Sequence, residues 1–134
     1  VLDFGQNIAG WVEMKVQGNA GTEVILVHGE ALDKHGNFTL NNLAFQGTLE
    51  DFQKVHYILK GRGVESYSPH FAIFGFRYVL VQNYPGPLNP ENFTAVAIYS
   101  DLEDNKEILK KNPLQNACME PWNVQGEKTI RGKI

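Results

Sequence analysis

FAIFGFRYVLVQ, residues 71–82, is the longest run of aromatic and β-branched residues in the chain. Such residues favour a pleated strand packed against its neighbours over a helix. Because both faces of the run are mostly apolar, it predicts a central strand that is covered on both sides. Simple alternation divides its side chains into two sets, Phe76, Tyr78, Leu80 and Gln82 on one face and Arg77, Val79 and Val81 on the other.

Two residues interrupt the pattern of this run. Gly75 in the strand interior predicts a bulge or a close approach of another group to the backbone. Arg77 lies between two aromatic residues, which leaves two interpretations open: a structural arginine, or a ligand contact at a domain seam. In the structural case we expect a largely buried guanidinium, stacked on a ring and paired with a carboxylate, either Glu30 or Asp3.

Further strands are predicted on both sides of the run. Apolar and polar residues alternate in residues 11–17, 22–30, 54–60 and 93–100, and turns rich in Gly, Pro and Asn separate them. Residues 38–53 have no clean period, so an irregular excursion is expected there. Short strands joined by such turns predict an all-β fold, an antiparallel two-sheet β-sandwich.

The pattern changes after Asp101, where charge rises and alternation stops. Asn112 and Pro113 have the cap and first-turn chemistry of a short helix, which Pro121 would end after barely two turns. Residues 126–134 are polar and basic and predict a tail. We therefore expect any helix in the last third, within a short irregular or helical C-terminal tail.

The composition excludes several classes of protein. A net charge of −3 and a pI near 5.8 argue against nucleic acid as a partner. No apolar run approaches the ~20 residues of a membrane-spanning helix, so no membrane partner is predicted. Cys118 is the single cysteine, so an internal disulfide is impossible and the redox compartment stays open. Val1 begins the chain within a strand-like run, which predicts a piece of a longer protein.

Catalytic motifs are scarce. The chain has neither a Gly-rich phosphate loop nor a Gly-x-Ser-x-Gly elbow. His28 and Glu30 share a strand face, as metal ligands or as a polar pair at a sheet edge, and the lack of an evident third ligand favours the pair. Asp33 and Asn37 do not match the spacing of a twelve-residue calcium loop. We predict no catalytic residue, no metal site and no cofactor in this chain.

Three residues are candidates for binding: Trp11, Asn7 and Arg77. Trp11 is suited to stack on a sugar ring, although an aromatic residue in a strand is more often a core or interface residue. Asn7 belongs to a polar turn, and Arg77 is the charged residue of the central run. The residues themselves leave two roles open, a sugar site and a domain interface.

Three ordered segments carry a family resemblance. They are Asp3–Asn7 with Gly10-Trp11; His28–Asp33 with Gly36-Asn37; and Gly75–Tyr78 followed by Tyr84-Pro85-Gly86 and Ser100-Asp101-Leu102. In this order and spacing they resemble the concanavalin-like β-sandwich that precedes the catalytic domain in bacterial α-L-rhamnosidases of glycoside hydrolase family 78. The chain departs from that pattern at Phe74, where histidine is frequent, and at Gly29, where alanine is common.

The resemblance implies a fold, a domain division and a function. Residues 1–102 would form a concanavalin-like jelly roll, and residues 103–134 would be a linker and a truncated entry to the helical catalytic domain. The parent protein would release terminal α-L-rhamnose by inverting hydrolysis of a rhamnose-containing glycoside. The family's acidic catalytic motifs belong to its (α/α)6 barrel, so none transfers to this chain, whose implied role is accessory and whose implied partner is that barrel.

Two other functions remain open at this point. A free-standing lectin-like module would need an exposed aromatic platform, for which Trp11, Asn7 and Arg77 are the candidates. A truncated gene product without activity is the third possibility. The sequence leaves undetermined the preferred rhamnoside, the oligomeric state and the choice between the bacterial cytoplasm and a periplasmic or secreted location.

Overall fold

The structure is a computed structural model that describes residues 1–43, residues 52–99 and the backbone of residues 128–131. A 3-10 turn at Pro90–Asn92, capped by the side chain of Asn89, is the single helical element of these residues, so nothing in them could cross a membrane as a helix. The strands are β1 (Leu2–Gln17), β2 (Glu23–Gly29), β3 (Ala31–Leu32), β4 (Phe38–Thr39), β5 (Lys54–Ile58), β6 (Val64–Tyr67), β7 (Phe74–Gln82), β8 (Phe93–Ala97) and β9 (Lys128–Arg131).

The all-β, antiparallel prediction is confirmed. Seven strands form one sheet in the order β5-β2-β7-β1-β8-β9, with β6 also paired to β1, and β3 and β4 form a separate two-stranded sheet. The predicted segments 11–17, 22–30, 54–60, 71–82 and 93–100 correspond to the second half of β1 and to β2, β5, β7 and β8. β7 lies between β2 and β1, as expected of a central strand.

The end of the chain differs from its prediction. Lys128–Arg131 was expected to belong to a tail but pairs with β8, because an unpaired strand edge offers backbone hydrogen bonds that do not depend on an alternating sequence. The helix predicted at Asn112 and Pro113 lies outside the described residues, as do residues 44–51 of the irregular excursion.

β1 is the longest of these strands and changes partners along its length. Its first part pairs with β7, its middle with β8 and its end with β6. Between the pairs Asp3/Tyr78 and Ile8/Phe76, residues 4–7 of β1 lie opposite Arg77 alone, which makes a wide bulge. Gly5 within the bulge has a φ of 83°, a conformation that glycine adopts without steric cost.

The bulge overturns the simple alternation predicted for β7. Phe76 and Val79 were placed on opposite faces, yet both are fully buried. Arg77 and Tyr78 between them are only partly buried. A bulge locally increases the strand twist and breaks the pairing, so two core positions can be separated by two residues where regular alternation would place one.

Strands β1, β2, β5, β7 and β8 bury their apolar side chains in one core. Fully burying a Val, Leu or Phe side chain contributes about 1.5–3 kcal/mol, so this cluster is the main source of the domain's stability. Its members are Leu2, Phe4, Val12, Met14, Val16, Val24, Leu26, Val55, Leu59, Phe76, Val79, Phe93 and Ala95.

A histidine belongs to this core. The ring of His28 stacks on Phe74 at 4.2 Å between centroids and meets Phe76 edge-on at 4.9 Å. Nδ1 donates to the carbonyl oxygen of Gln53 at 3.0 Å, while Nε2 is buried without a partner among the described residues. β2 is flanked by β5 and β7, so His28 is a core residue and not half of the polar edge pair predicted with Glu30.

Gly10 is the point at which β1 is paired on both sides, with Phe74 of β7 and Ala97 of β8. A Cβ at this position would overlap the carbonyl oxygen of Val96. Gly10→Ala should therefore lower the free energy of unfolding by more than about 3 kcal/mol in urea titrations, because backbone must move to relieve the overlap. Gly36→Ala is the control: it meets nothing within 4 Å and should cost about 1–2 kcal/mol for its positive φ alone. Equal losses in the two variants would contradict this account.

Burial of His28 predicts a pH-dependent stability. Desolvation lowers the pKa of His28 from 6.5 to about 4, and the hydrogen bond to Gln53 only partly opposes this. Between these pH values the unfolded chain binds more protons than the folded one, so stability is complete above about pH 6.5 and falls as the pH drops towards 4.

The contribution of this histidine over that range should be about 3 kcal/mol. Urea unfolding of the parent chain and of His28→Asn at pH 7, 5.5 and 4 measures it. The variant loses ring contacts and should be less stable at pH 7, but its stability should decline less on acidification. Parallel declines in both proteins would show that other groups cause the pH dependence.

Candidate functional site

The bulge of β1 places a charged pair on the outside of the sheet. Arg77 donates from Nε to Oδ1 of Asp3 at 2.9 Å and from a terminal nitrogen to Oδ2 at 3.0 Å. Its guanidinium carbon lies 4.9 Å from the centre of the Tyr78 ring. The hydrogen bond to Asp3 raises the pKa of Arg77, against a smaller opposing effect of desolvation. Oδ1 of Asp3 also accepts the N–H of Gly5 at 2.7 Å, so the same carboxylate holds the bulge and the arginine.

The expectations for Arg77 are met in part. Asp3, one of the two predicted partners, forms a two-point pair with it, and the neighbouring ring is Tyr78. The expected burial is wrong: the side chains of Arg77 and Asp3 are 38% and 39% exposed. The bulge opens the outer face of the sheet at this point, so the charges keep part of their hydration.

Glu30, the other predicted partner, forms a second polar cluster. Its Oε1 accepts from the side-chain amide of Asn7 at 3.3 Å, and its Oε2 accepts from that of Asn42 at 3.2 Å. A Cβ on Gly75 would lie 3.1 Å from Oε1, which confirms the close backbone approach predicted at that glycine. Sequence reasoning identified Asn7 but missed Asn42, which lies in the irregular segment where no periodic pattern exists.

Trp11 lies further along β1, opposite Val96 of β8. Its side chain is only partly exposed, and its Nε1 is hidden from solvent without an acceptor among the described residues. The N–H of a buried Trp usually finds a hydrogen-bond partner, and Trp is enriched at interfaces for this reason. The indole edge of Trp11 is hidden, so its surroundings resemble those of an interface residue more closely.

The two departures from the family pattern lie on either side of His28. Phe74 supplies the ring on which His28 stacks. A Cβ on Gly29 would lie 2.7 Å from the ring of Phe38, whose β4 strand pairs with β3. Gly29 thus makes room for Phe38 against β2, and this region is packed by aromatic rings and not arranged around a polar ligand.

Within the part of the chain that the structure describes, no three His, Cys, Asp or Glu side chains are grouped to hold a metal ion. Asp33 binds its own loop, accepting the backbone N–H groups of His35 and Asn37 at 2.8 Å each. Those backbone donors, chiefly Asn37, lower the pKa of Asp33.

Antiparallel strands around one apolar core, with an ordered polar bulge in β1, define an all-β domain. The chain belongs to the bacterial alpha-L-rhamnosidase concanavalin-like domain family, whose model matches residues 1–99.

Similar proteins are much longer than this chain. An alpha-L-rhamnosidase of Streptomyces avermitilis is 36% identical over 116 residues, which are 87% of this chain and 11% of the relative. One of Formosa agariphila is 33% identical over 126 residues, which are 92% of this chain and 13% of the relative. The chain therefore spans between a tenth and a seventh of the length of these relatives.

Solved structures of alpha-L-rhamnosidases are also similar to this chain. The Streptomyces avermitilis alpha-L-rhamnosidase complexed with L-rhamnose matches with a TM-score of 0.66 and 37% identity, over 74% of this chain and 9% of that one. The Aspergillus terreus enzyme matches with a TM-score of 0.64 and 36% identity, over 75% of this chain and 11% of that one.

The Asp3–Arg77 pair should behave as a partly solvated surface pair that fixes the bulge. Asp3→Asn and Arg77→Gln should each lower the melting temperature by a few degrees, and the double variant should lower it by less than the sum of the two. Arg77→Lys should restore only part of the loss, because lysine lacks the planar fork that reaches both carboxylate oxygens. Lys34→Gln, which removes the same charge from an exposed loop, is the control. Strictly additive losses in the double variant would mean that the pair does not act as a unit.

Proposed function

We propose that this chain is the accessory β-sandwich domain of an α-L-rhamnosidase, standing beside a helical catalytic domain that hydrolyses terminal α-L-rhamnosides with inversion. The observation that carries the proposal is the family match over residues 1–99, together with relatives named alpha-L-rhamnosidase of which the chain covers only 11–14%. Such a small share leaves room in the same protein for a separate catalytic domain.

The pKa shifts of two described carboxylates, Glu65 and Asp33, argue against a general-acid role for either of them. Inverting hydrolysis needs a general acid with a raised pKa and a carboxylate base, held about 6.5–9.5 Å apart. The pKa of Glu65 is instead lowered, first by the backbone N–H of Lys60 and then by the hydroxyl of Tyr57. The pKa of Asp33 is lowered too. These shifts are opposite to those of a general acid.

Glu65 also shows what such carboxylates do in this domain. Its oxygens accept the hydroxyl of Tyr57 at 2.7 Å and the backbone N–H groups of Lys60 and Gly61 at 3.1 and 2.9 Å. It therefore ties the turn after β5 to β6, and this role is a structural one.

The partner and the boundary follow from the same proposal. On this proposal, residues 1–102 make up the sandwich together with β9, which pairs with β8. The rest of residues 103–134 belongs to the link towards the helical (α/α)6 domain, and one surface of the sandwich supports that domain. A lectin-like module is less well supported, since the polar edge of Trp11 is hidden and Asn7 is already bound to Glu30.

Activity assays test whether catalysis belongs to the rest of the protein and not to this chain. The chain alone should release no aglycone from an aryl α-L-rhamnoside, whereas a longer protein that carries it should. In that longer protein, Glu65→Gln and Asp33→Asn should leave kcat within about threefold of the parent below the melting temperature, because neither carboxylate contacts substrate.

Two results would refute the proposal. Turnover by the chain alone that disappears in one of these variants would place the active site here. Saturable binding of L-rhamnose to the chain alone, measured by calorimetry and abolished in Asn7→Ala, would favour the lectin-like module. An inactive longer protein would agree with a truncated gene product.

A further inference from the structure

We propose that the segment Ser68–Ile73, called here the Phe71 loop, is the contact through which this domain docks into an apolar pocket of the helical catalytic domain. This inference rests on the proposed function. The loop joins β6 to β7 and has the sequence Ser-Pro-His-Phe-Ala-Ile, without a lysine, an arginine or a carboxylate.

The loop exposes its apolar side chains to an unusual degree. Phe71 is fully exposed, at 108% of its reference area, and Ile73 is 67% exposed. Scattered exposed apolar residues are ordinary on protein surfaces, but an aromatic ring with no cover beside an exposed isoleucine is typical of an interaction site. Aromatic side chains are also frequent among the residues that dominate binding at interfaces.

The backbone of the loop holds Phe71 outward in a rare conformation. Its φ is 61°, in the left-handed region that bulky residues seldom adopt. A loop free to relax would bring the ring back onto the surface of the domain. A left-handed backbone at a fully exposed residue indicates that neighbouring residues hold the backbone from which the ring projects.

Contacts on both sides provide that fixation. At the start of the loop, the hydroxyl of Ser68 donates to Oε1 of Glu13 at 3.0 Å, and Pro69 is buried. At its end, Phe74 is stacked on His28, and the side-chain amide of Gln53 donates to the carbonyl of Gly75 at 3.0 Å. The exposed residues therefore project from a rigid base, which reduces the entropy that docking would cost.

The occupant that we assign is the catalytic domain of the proposed function, and the relatives are long enough to contain one. The chain covers only 11–14% of three α-L-rhamnosidases, so most of each relative lies outside this domain and a neighbouring domain is available to cover the loop. The loop offers rings and aliphatic groups with His70 as its single titratable side chain, so the matching surface is an apolar pocket and not a charged one.

Hydrogen–deuterium exchange tests the contact directly. The peptide that covers the Phe71 loop should exchange at least about tenfold more slowly in the longer protein than in the chain alone. Phe71→Asn with Ile73→Thr should abolish this protection in the longer protein, and this domain should then melt separately. Asparagine tolerates the left-handed backbone, so the same double variant should not lower the melting temperature of the chain alone.

Val64→Thr is the matched control, because Val64 is also 67% exposed and β-branched but lies on β6. It should preserve the protection of the loop in the longer protein. Equal exchange of the loop in both proteins, or the same loss in the control as in the double variant, would overturn the inference. So would a dimer of the chain alone with a protected loop, since the occupant would then be a second copy. A protected loop in a longer protein that lacks rhamnosidase activity would support the docking contact while refuting the proposed function.

Discussion

The carboxylate of Asp3 controls how the first strand is built. It accepts the N–H of Gly5 within the bulge and binds Arg77 on the opposite strand at two points. These bonds hold residues 4–7 of β1 against a single residue of β7, so that the strand can continue beyond the bulge. Beyond the bulge, β1 pairs with β8 and then with β6. The apolar side chains of these strands and of β7 pack in one core. Without the bulge, strand alternation would not bring both Phe76 and Val79 into that core.

The same bulge also positions a second polar cluster, around Glu30. The side chain of Asn7, within the bulge, donates a hydrogen bond to Glu30. The carboxylate of Glu30 can lie close to Gly75 because glycine has no Cβ. Glu30 in turn binds Asn42 of the irregular segment after β4. Asn7 and Arg77 are thus both parts of a hydrogen-bonded scaffold. Their polar atoms are engaged within the domain, which agrees better with support than with recognition of a free sugar.

Strand positions and their buried faces depend on local residue patterns and could be predicted from the sequence. Exposure and contacts that depend on pairing between distant strands could not. Val12, Met14 and Val16 alternate with polar residues, so this strand and its buried face could be predicted from the sequence. Asp3 was one of the two carboxylates named as candidate partners of Arg77, and the structure pairs it with the arginine. The exposure of that pair and the burial of His28 could not be predicted, since both depend on which strands flank β7 and β2. Asn42 was missed for the same reason: its contact with Glu30 joins two segments that no pattern relates.

The polar and the apolar side chains on the surface of the domain differ in what they contribute to its stability. The carboxylates of Asp3, Glu30 and Glu65 are bound by partners within the described residues, so they contribute to the stability of the domain itself. Phe71 contributes nothing of this kind: its ring is fully exposed, and its left-handed backbone costs on the order of 1–3 kcal/mol. Trp11 also hides an N–H without an acceptor among the described residues. Costs of this size are a considerable part of the ~5–15 kcal/mol that stabilises a typical domain. A neighbouring domain that buries the Phe71 ring would offset this cost, so this sandwich should be more stable within a longer protein than alone.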